Sequence, residues 1–353
     1  MEPNLTYTQQ LNQENILKLR ELRKMLPKFL GTYFTAVDQV LSSRTKIAYA
    51  LDLHTFFEYI QKSNPLYTNK EIRDFTPEVL SNLNSTDINE YMEYLKLYQT
   101  SDGKTLTNNE RAIKRKMAAV RSMYNYYYKT EVIDSNPAIQ VDMPRLHDKA
   151  IIRLDINEIA LLLDAVESGN TLTEAQQRFH QKNKTRDLAL MTLLLGTGIR
   201  VSECVGLDLY DVDFDNDRIK IVRKGGYEAF VYFGDEVREA LEAYLEEREM
   251  ITGILEGHEN ALFLSSRKRR ITVRSVEILV KKYAQTVTTM KKITPHKLRS
   301  TYGTTLYQET GDIYLVADVL GHKDVNTTRK HYAAIEEERR RMAKDKVTLR
   351  REN

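Results

Sequence analysis

Residues 135–149, SNPAIQVDMPRLHDK, carry two prolines and no helical period, yet stand between two long stretches that have one. A chain interrupted in this way has to bury two separate cores, and 353 residues suffice for both. We read the segment as the connection between them and set the boundaries at 1–145, a linker at 146–152, and 153–353 with a C-terminal tail. The expected class is mainly α in two domains. The first is expected to be all-helical, the second α+β with a small antiparallel hairpin.

In the first half, RTKIAYALDLHTFFEYI places Ile47, Leu51 (with Ala50), His54 and Phe57 at helical spacing. In the second, Asp155 is placed to cap a helix through INEIALLLDAV. The polar stretch 167–185 reads as a surface loop or insertion. RDLALMTLLLGTGIRVSE reads as a buried helix broken by Gly196 and Gly198. DRIKIVRKGGYEAFVYF alternates apolar and polar residues on both sides of Gly225-Gly226, the pattern of a hairpin. The rest is helical and ends in a charged tail.

The single cysteine, Cys204, excludes an internal disulfide framework and a cysteine metal cluster. No apolar run approaches the roughly 20 residues of a membrane span. The opening MEPNLTYTQQ has neither a basic nor an apolar leader region, so a cytoplasmic location is expected. The net charge is only +3, so any polyanion would be recognised by local clusters. Two such clusters stand out. At 100° per residue, RAIKRKMAAVRSMYNYYYK puts Ile113, Met117, Val120, Tyr124 and Tyr127 on one arc. Arg111, Lys114, Arg115 and Arg121 fall on the opposite arc, with no acid in the stripe. Residues 265–299 hold eleven Lys or Arg, among them Arg267, Lys268, Arg269 and Arg270, against Glu277 alone. One basic surface in each half suggests a clamp on a nucleic-acid backbone.

Four short stretches supply groups that handle phosphate. In TPHKLRSTYG, Thr294 and Pro295 start a helix whose first turns carry His296 and Arg299, with Gly303 on the same face. In GTGIRVSE, Arg200 stands three residues before Glu203, which can hold its fork for phosphate oxygens. Lys224 flanks the Gly-Gly turn. In VLGHKDVNTTRKHY, His322 follows a helix-ending glycine and Tyr332 comes ten residues later. Each alone is ordinary surface chemistry. His296, His322 and His331 fit no common zinc spacing.

Taken in order, Arg200, Lys224, His296-x-x-Arg299, His322 and Tyr332 resemble the tyrosine recombinase (phage integrase) family over about residues 150–335. LGTGIRVSE, HKLRSTYGT and VLGHKDVNTT resemble its chromosome-dimer-resolving Xer branch. The length and the 167–185 insertion resemble the single-recombinase XerS type. The family usually has a further basic residue just past the hairpin turn, where this chain has Tyr227 and Glu228.

The resemblance implies a core-binding (SAM-like) DNA-binding domain followed by a catalytic domain. It implies Tyr332 attacking a phosphodiester, Arg200 and Arg299 bracing the phosphate, Lys224 as general acid, His296 as base, His322 on a phosphate oxygen and Glu203 behind Arg200. No cofactor and no metal are implied. The implied partners are double-stranded DNA at a dif-like site, a homotetramer on two duplexes and an FtsK-type DNA translocase, in chromosome partition at cell division. The tail, with Ile335 and Met342 seven apart, would dock on a neighbouring protomer. The alternatives are a mobile-element integrase, a type IB topoisomerase-like enzyme and a non-catalytic DNA clamp.

Overall fold

The computed structural model describes residues 6–100, 103–146, 152–223, 226–322 and 325. The chain divides into two compact units, Met1–Lys149 and Ala150–Asn353.

The first unit runs α1 (Tyr7–Arg23), α2 (Leu30–Ala36), α3 (Ser43–Ser63), α4 (Glu78–Ser81), α5 (Ser85–Tyr94), β1 (Leu97–Gln99), β2 (Thr105–Thr107), α6 (Glu110–Lys129) and α7 (Pro137–Gln140). Side-chain caps at Thr6, Ser42, Asn84 and Asn109 start four of the helices. The apolar arc of α6 is buried as expected, from Ile113 through Tyr127. The stripe of α3 runs instead through Ile47, Ala50, Leu53, Phe56, Phe57 and Ile60. Leu51 is 48% exposed, because Leu53 and Phe56 take the core positions one step round the helix. The unit is not wholly helical: β1 and β2 form a short antiparallel hairpin with Leu97 opposite Thr107. The start of the 135–149 segment packs within this unit. Pro137 and Ala138 of α7 are buried, and Arg121 donates to the carbonyls of Ala138 (2.9 Å) and Val141.

The second unit runs α8 (Ile156–Ser168), α9 (Glu174–His180), α10 (Lys184–Thr197), α11 (Val201–Gly206), β3 (Val212–Asp213), β4 (Arg218–Val222), β5 (Glu228–Tyr232), α12 (Asp235–Glu249), α13 (Val273–Val287), α14 (Pro295–Thr310) and α15 (Ile313–Val319). Asp155 caps α8 reciprocally with Glu158. The three strands form one antiparallel sheet in sequence order. The β4–β5 register runs from Arg218 opposite Tyr232 to Val222 opposite Glu228. Ile219, Ile221 and Val231 point into the core. Among the described residues no helix is long and apolar enough to cross a membrane.

One glycine assignment and one loop assignment need correction. Gly196 does not break α10. It lies inside the helix, where an added Cβ would fall 2.5 Å from Val237 of α12. Only Gly198 ends the helix, at φ +62°. The 167–185 stretch, expected as a loop, contains α9, started by a capping box between Thr173 and Gln176.

α9 ends on a buried histidine. The Tyr283 hydroxyl donates to Asp187 Oδ2 at 2.9 Å, so its oxygen accepts from His180 Nδ1–H at 3.0 Å. Burial, then the Lys282 ammonium, hold the His180 pKa below its ordinary value. The unfolded chain therefore takes up this proton at a higher pH than the folded one. Stability should fall as pH drops below about 6.5 toward the folded value. The melting temperature of the protein is expected to decline between pH 7.5 and 5.5, and His180→Gln should flatten that slope.

Candidate active site

α10 ends at Gly198, whose left-handed backbone turns the chain so that Arg200 becomes the residue before α11. Glu203, with its side chain only 4% exposed, reaches back to it twice. It accepts from the Arg200 backbone N–H at 2.7 Å and from Nη1 at 2.8 Å. Arg200 Nη2 then donates to the carbonyl of Gly321 at 3.3 Å. A carboxylate that fixes both the backbone and one arm of the fork leaves the guanidinium little rotational freedom. The expected Arg200–Glu203 pair is present.

Arg299 arrives from α14. Thr294 stands at the N-cap and Pro295 at the first helical position, as expected, although the Thr294 side chain makes no cap hydrogen bond. Arg299 is 6% exposed. Its Nη1 donates to the Gly198 carbonyl at 2.5 Å and its Nη2 to the Leu320 carbonyl. His296 lies one turn earlier on α14 and is exposed. Gly303 is buried in the helix, so it does not provide the open approach expected of it. The ring that closes on this corner is Tyr302, which lies where a Cβ on Gly198 would meet it at 2.3 Å.

Both arginines end on the same place, the C-terminus of α15. That helix finishes with Gly321 at φ +61°. The Gly321 N–H bonds to Asp318 O and the His322 N–H to Ala317 O, both at 2.8 Å. This double closure satisfies part of the helix end and turns the remaining carbonyls outward. Arg299 takes Leu320 O, Arg200 takes Gly321 O, and a third arginine takes the rest. Arg223, one residue past β4, donates to Asp318 O at 3.2 Å and Val319 O at 3.0 Å. Sequence reasoning missed Arg223. Its only local sign was its position before Lys224, and the carbonyls it holds lie 95 and 96 residues away. His322 follows directly on this shared helix end. The structure thus gathers Arg200, Glu203, Arg299 and His322 around one scaffold. Lys224 and Tyr332, with the tail residues Ile335 and Met342, lie outside the described residues.

Residues 153–339 match the Phage integrase family. The chain belongs to this family, the tyrosine recombinases. Cleavage and religation of DNA strands is the family reaction, so the chain is an enzyme of that class. The tyrosine recombinase XerC of Caldanaerobacter subterraneus subsp. tengcongensis is 32% identical over 335 residues, covering 93% of this chain and 88% of the relative. That of Leptospira interrogans is 28% identical over 316 residues, covering 90% of each. Among solved structures, the XerH site-specific recombinase bound to a palindromic difH substrate, a post-cleavage complex, is similar in fold. Its TM-score is 0.62 at 18% identity, covering 97% of each chain. The Tn1549 transposon integrase in complex with transposon right end DNA has a TM-score of 0.61 at 19% identity, covering 87% of this chain and 97% of that one.

The basic surfaces of this recombinase are less uniform than their sequence windows. Arg111 and Lys114 are exposed on α6. Arg115, however, bonds one oxygen of Asp52 and Lys116 the other at 3.2 Å. Asp52 is 1% exposed, and burial pushes its carboxyl above the ordinary range despite both cations. Arg121 is turned to the carbonyls of α7 and its flank, as described above. In the second window, Arg270 is not a surface residue. It is 9% exposed, paired with Asp208, and donates to Val205 O and Leu207 O at 3.1 and 2.8 Å. Lys268 donates to Thr252 O at 2.6 Å, Lys282 meets Asp187 and Lys291 meets Glu158. Arg267 and Arg269 are exposed. The acids that balance these windows come from other elements. The Cys204 thiol is buried and its pKa is pushed up, which leaves it unreactive.

Proposed function

We propose that this tyrosine recombinase performs site-specific exchange between two copies of a dif-like sequence and so resolves chromosome dimers at cell division. The observation that carries the reading is the seating of Arg200 and Arg299 on one helix end, beside His322. Two guanidinium groups held by fixed oxygens are preorganised for the charge that builds on a pentacoordinate phosphorus. Each such donor is worth about 3 kcal/mol of transition-state stabilisation.

In the proposed reaction the Tyr332 oxygen bonds to phosphorus and the P–O5′ bond breaks. His296 takes the phenolic proton, Lys224 supplies one to the departing 5′-oxygen, and His322 donates to a non-bridging oxygen. Glu203 orients Arg200. The phosphotyrosyl ester conserves the bond energy, so a second strand's 5′-hydroxyl reverses the step without ATP. The DNA-bound relatives support duplex DNA as the partner, with Arg111, Lys114, Arg267 and Arg269 as the exposed contacts we assign to its backbone. The Xer-named relatives support the chromosomal role. The XerS type, a tetramer on two duplexes, tail docking between protomers and activation by an FtsK-type translocase belong to the same proposal.

A plasmid carrying two dif-like sites in direct repeat tests it. Purified protein should convert the plasmid to two circles without metal or ATP, and removal of one site should stop the reaction. Relaxation of a plasmid with no site, without recombinant circles, would favour a topoisomerase instead.

A further inference from the structure

We infer that Arg223, the residue before Lys224 in the sequence, is a positioning residue for strand cleavage that acts by fastening the end of β4 to the carbonyl end of α15. The inference rests on the assignment of Lys224 as general acid. The turn between β4 and β5 carries Gly225-Gly226 in its sequence. Arg223 closes the base of that turn through its backbone. Its N–H donates to Tyr227 O at 2.8 Å and its carbonyl accepts from Gly226 N–H at 3.0 Å. The side chain leaves the hairpin altogether and spans two successive carbonyls of α15, Asp318 O and Val319 O.

The guanidinium packs so closely on Gly321 that a Cβ there would fall 2.2 Å from Nη1. Gly321 takes a positive φ that favours glycine, and the Arg223 guanidinium lies against its open side. A lysine cannot reproduce this contact, since one ammonium does not bridge two carbonyls as a planar fork does. The three arginines that meet on α15 come from the start of α11, the end of β4 and the middle of α14. Arg223 is the one that ties the hairpin to the helix end shared by the phosphate-bracing pair. Without it, cleavage should fall by the fraction of time the hairpin spends out of place.

The test is single-turnover cleavage of a nicked duplex carrying the dif-like site, by the wild type, Arg223→Ala, Arg223→Lys and Lys224→Ala. Each is run with the normal substrate and with one whose scissile 5′-oxygen is replaced by sulfur. The sulfur leaves as a thiolate and needs no proton, so a defect in proton delivery disappears. Arg223→Ala is expected to lose about 10- to 100-fold on oxygen and to recover to within about threefold of wild type on sulfur, with DNA affinity unchanged. Arg223→Lys should behave in the same way with a smaller loss, and it serves if the alanine variant fails to fold.

Full activity of Arg223→Ala on oxygen would overturn the inference. So would an equal loss on both substrates while Lys224→Ala is restored by sulfur. If sulfur fails to restore Lys224→Ala itself, the general-acid assignment falls first and the inference with it.

Discussion

Tyr332→Phe should form no covalent protein–DNA adduct on a nicked suicide substrate, a loss of at least about 10⁴-fold, while binding the same duplex with wild-type affinity. The reason is that phenylalanine removes the oxygen proposed to become esterified and almost nothing else in volume. A phenol with a pKa near 10 is a weak nucleophile, so the rate depends on proton removal and on charge stabilisation by the arginines. None of those groups can substitute for the missing oxygen. The measurement is denaturing electrophoresis of labelled DNA after incubation without metal. Adduct formation by Tyr332→Phe would show that another residue is the nucleophile. Absence of adduct with the wild-type protein on every site tried would support a non-catalytic clamp.

Arg299→Lys should slow cleavage by about 10²- to 10³-fold and should also lower stability. Its guanidinium joins two elements at once, the Gly198 carbonyl after α10 and the Leu320 carbonyl after α15. A lysine ammonium, a single point at the end of its stem, does not span the two oxygens as the planar fork does, so one of these bonds is lost. Hydrogen bonds from charged donors contribute about 1.5–3 kcal/mol each, so the structural and the catalytic losses arrive together. Arg200→Lys should be milder in stability, because Glu203 still has the Arg200 backbone N–H to accept from. The two effects separate in one experiment that records the urea midpoint and the single-turnover rate for both variants. An Arg299→Lys enzyme with the wild-type rate would remove this arginine from the phosphate-bracing pair.

Much of the architecture was legible because it depends on local rules. Asp155 announces a helix cap, and the alternation around Gly225-Gly226 announces β4 and β5. The arc of α6 is buried where its period places it. What escaped depends on partners distant in the chain. The helix α9 sits in a polar stretch, and its docking residue His180 meets Tyr283 some hundred positions later. The short β1–β2 hairpin has only three residues per strand, too few to show an alternation. The basic windows looked unbalanced because Asp52, Asp187, Asp208 and Glu158 lie outside them. Of the groups gathered at the end of α15, Arg200, Arg299 and His322 could be named from motif order. Arg223 could not, since what it grips is main chain, and any side chains at 318 and 319 would offer the same oxygens.

The end of α15 that receives these arginines is made of amide oxygens, which neither ionise nor carry net charge. Anchoring cations on such atoms places them without adding negative charge, while Glu203 adds a carboxylate at Arg200. The main chain thus fixes three guanidinium groups without adding net negative charge, and an incoming sugar–phosphate strand is the polyanion such an array attracts.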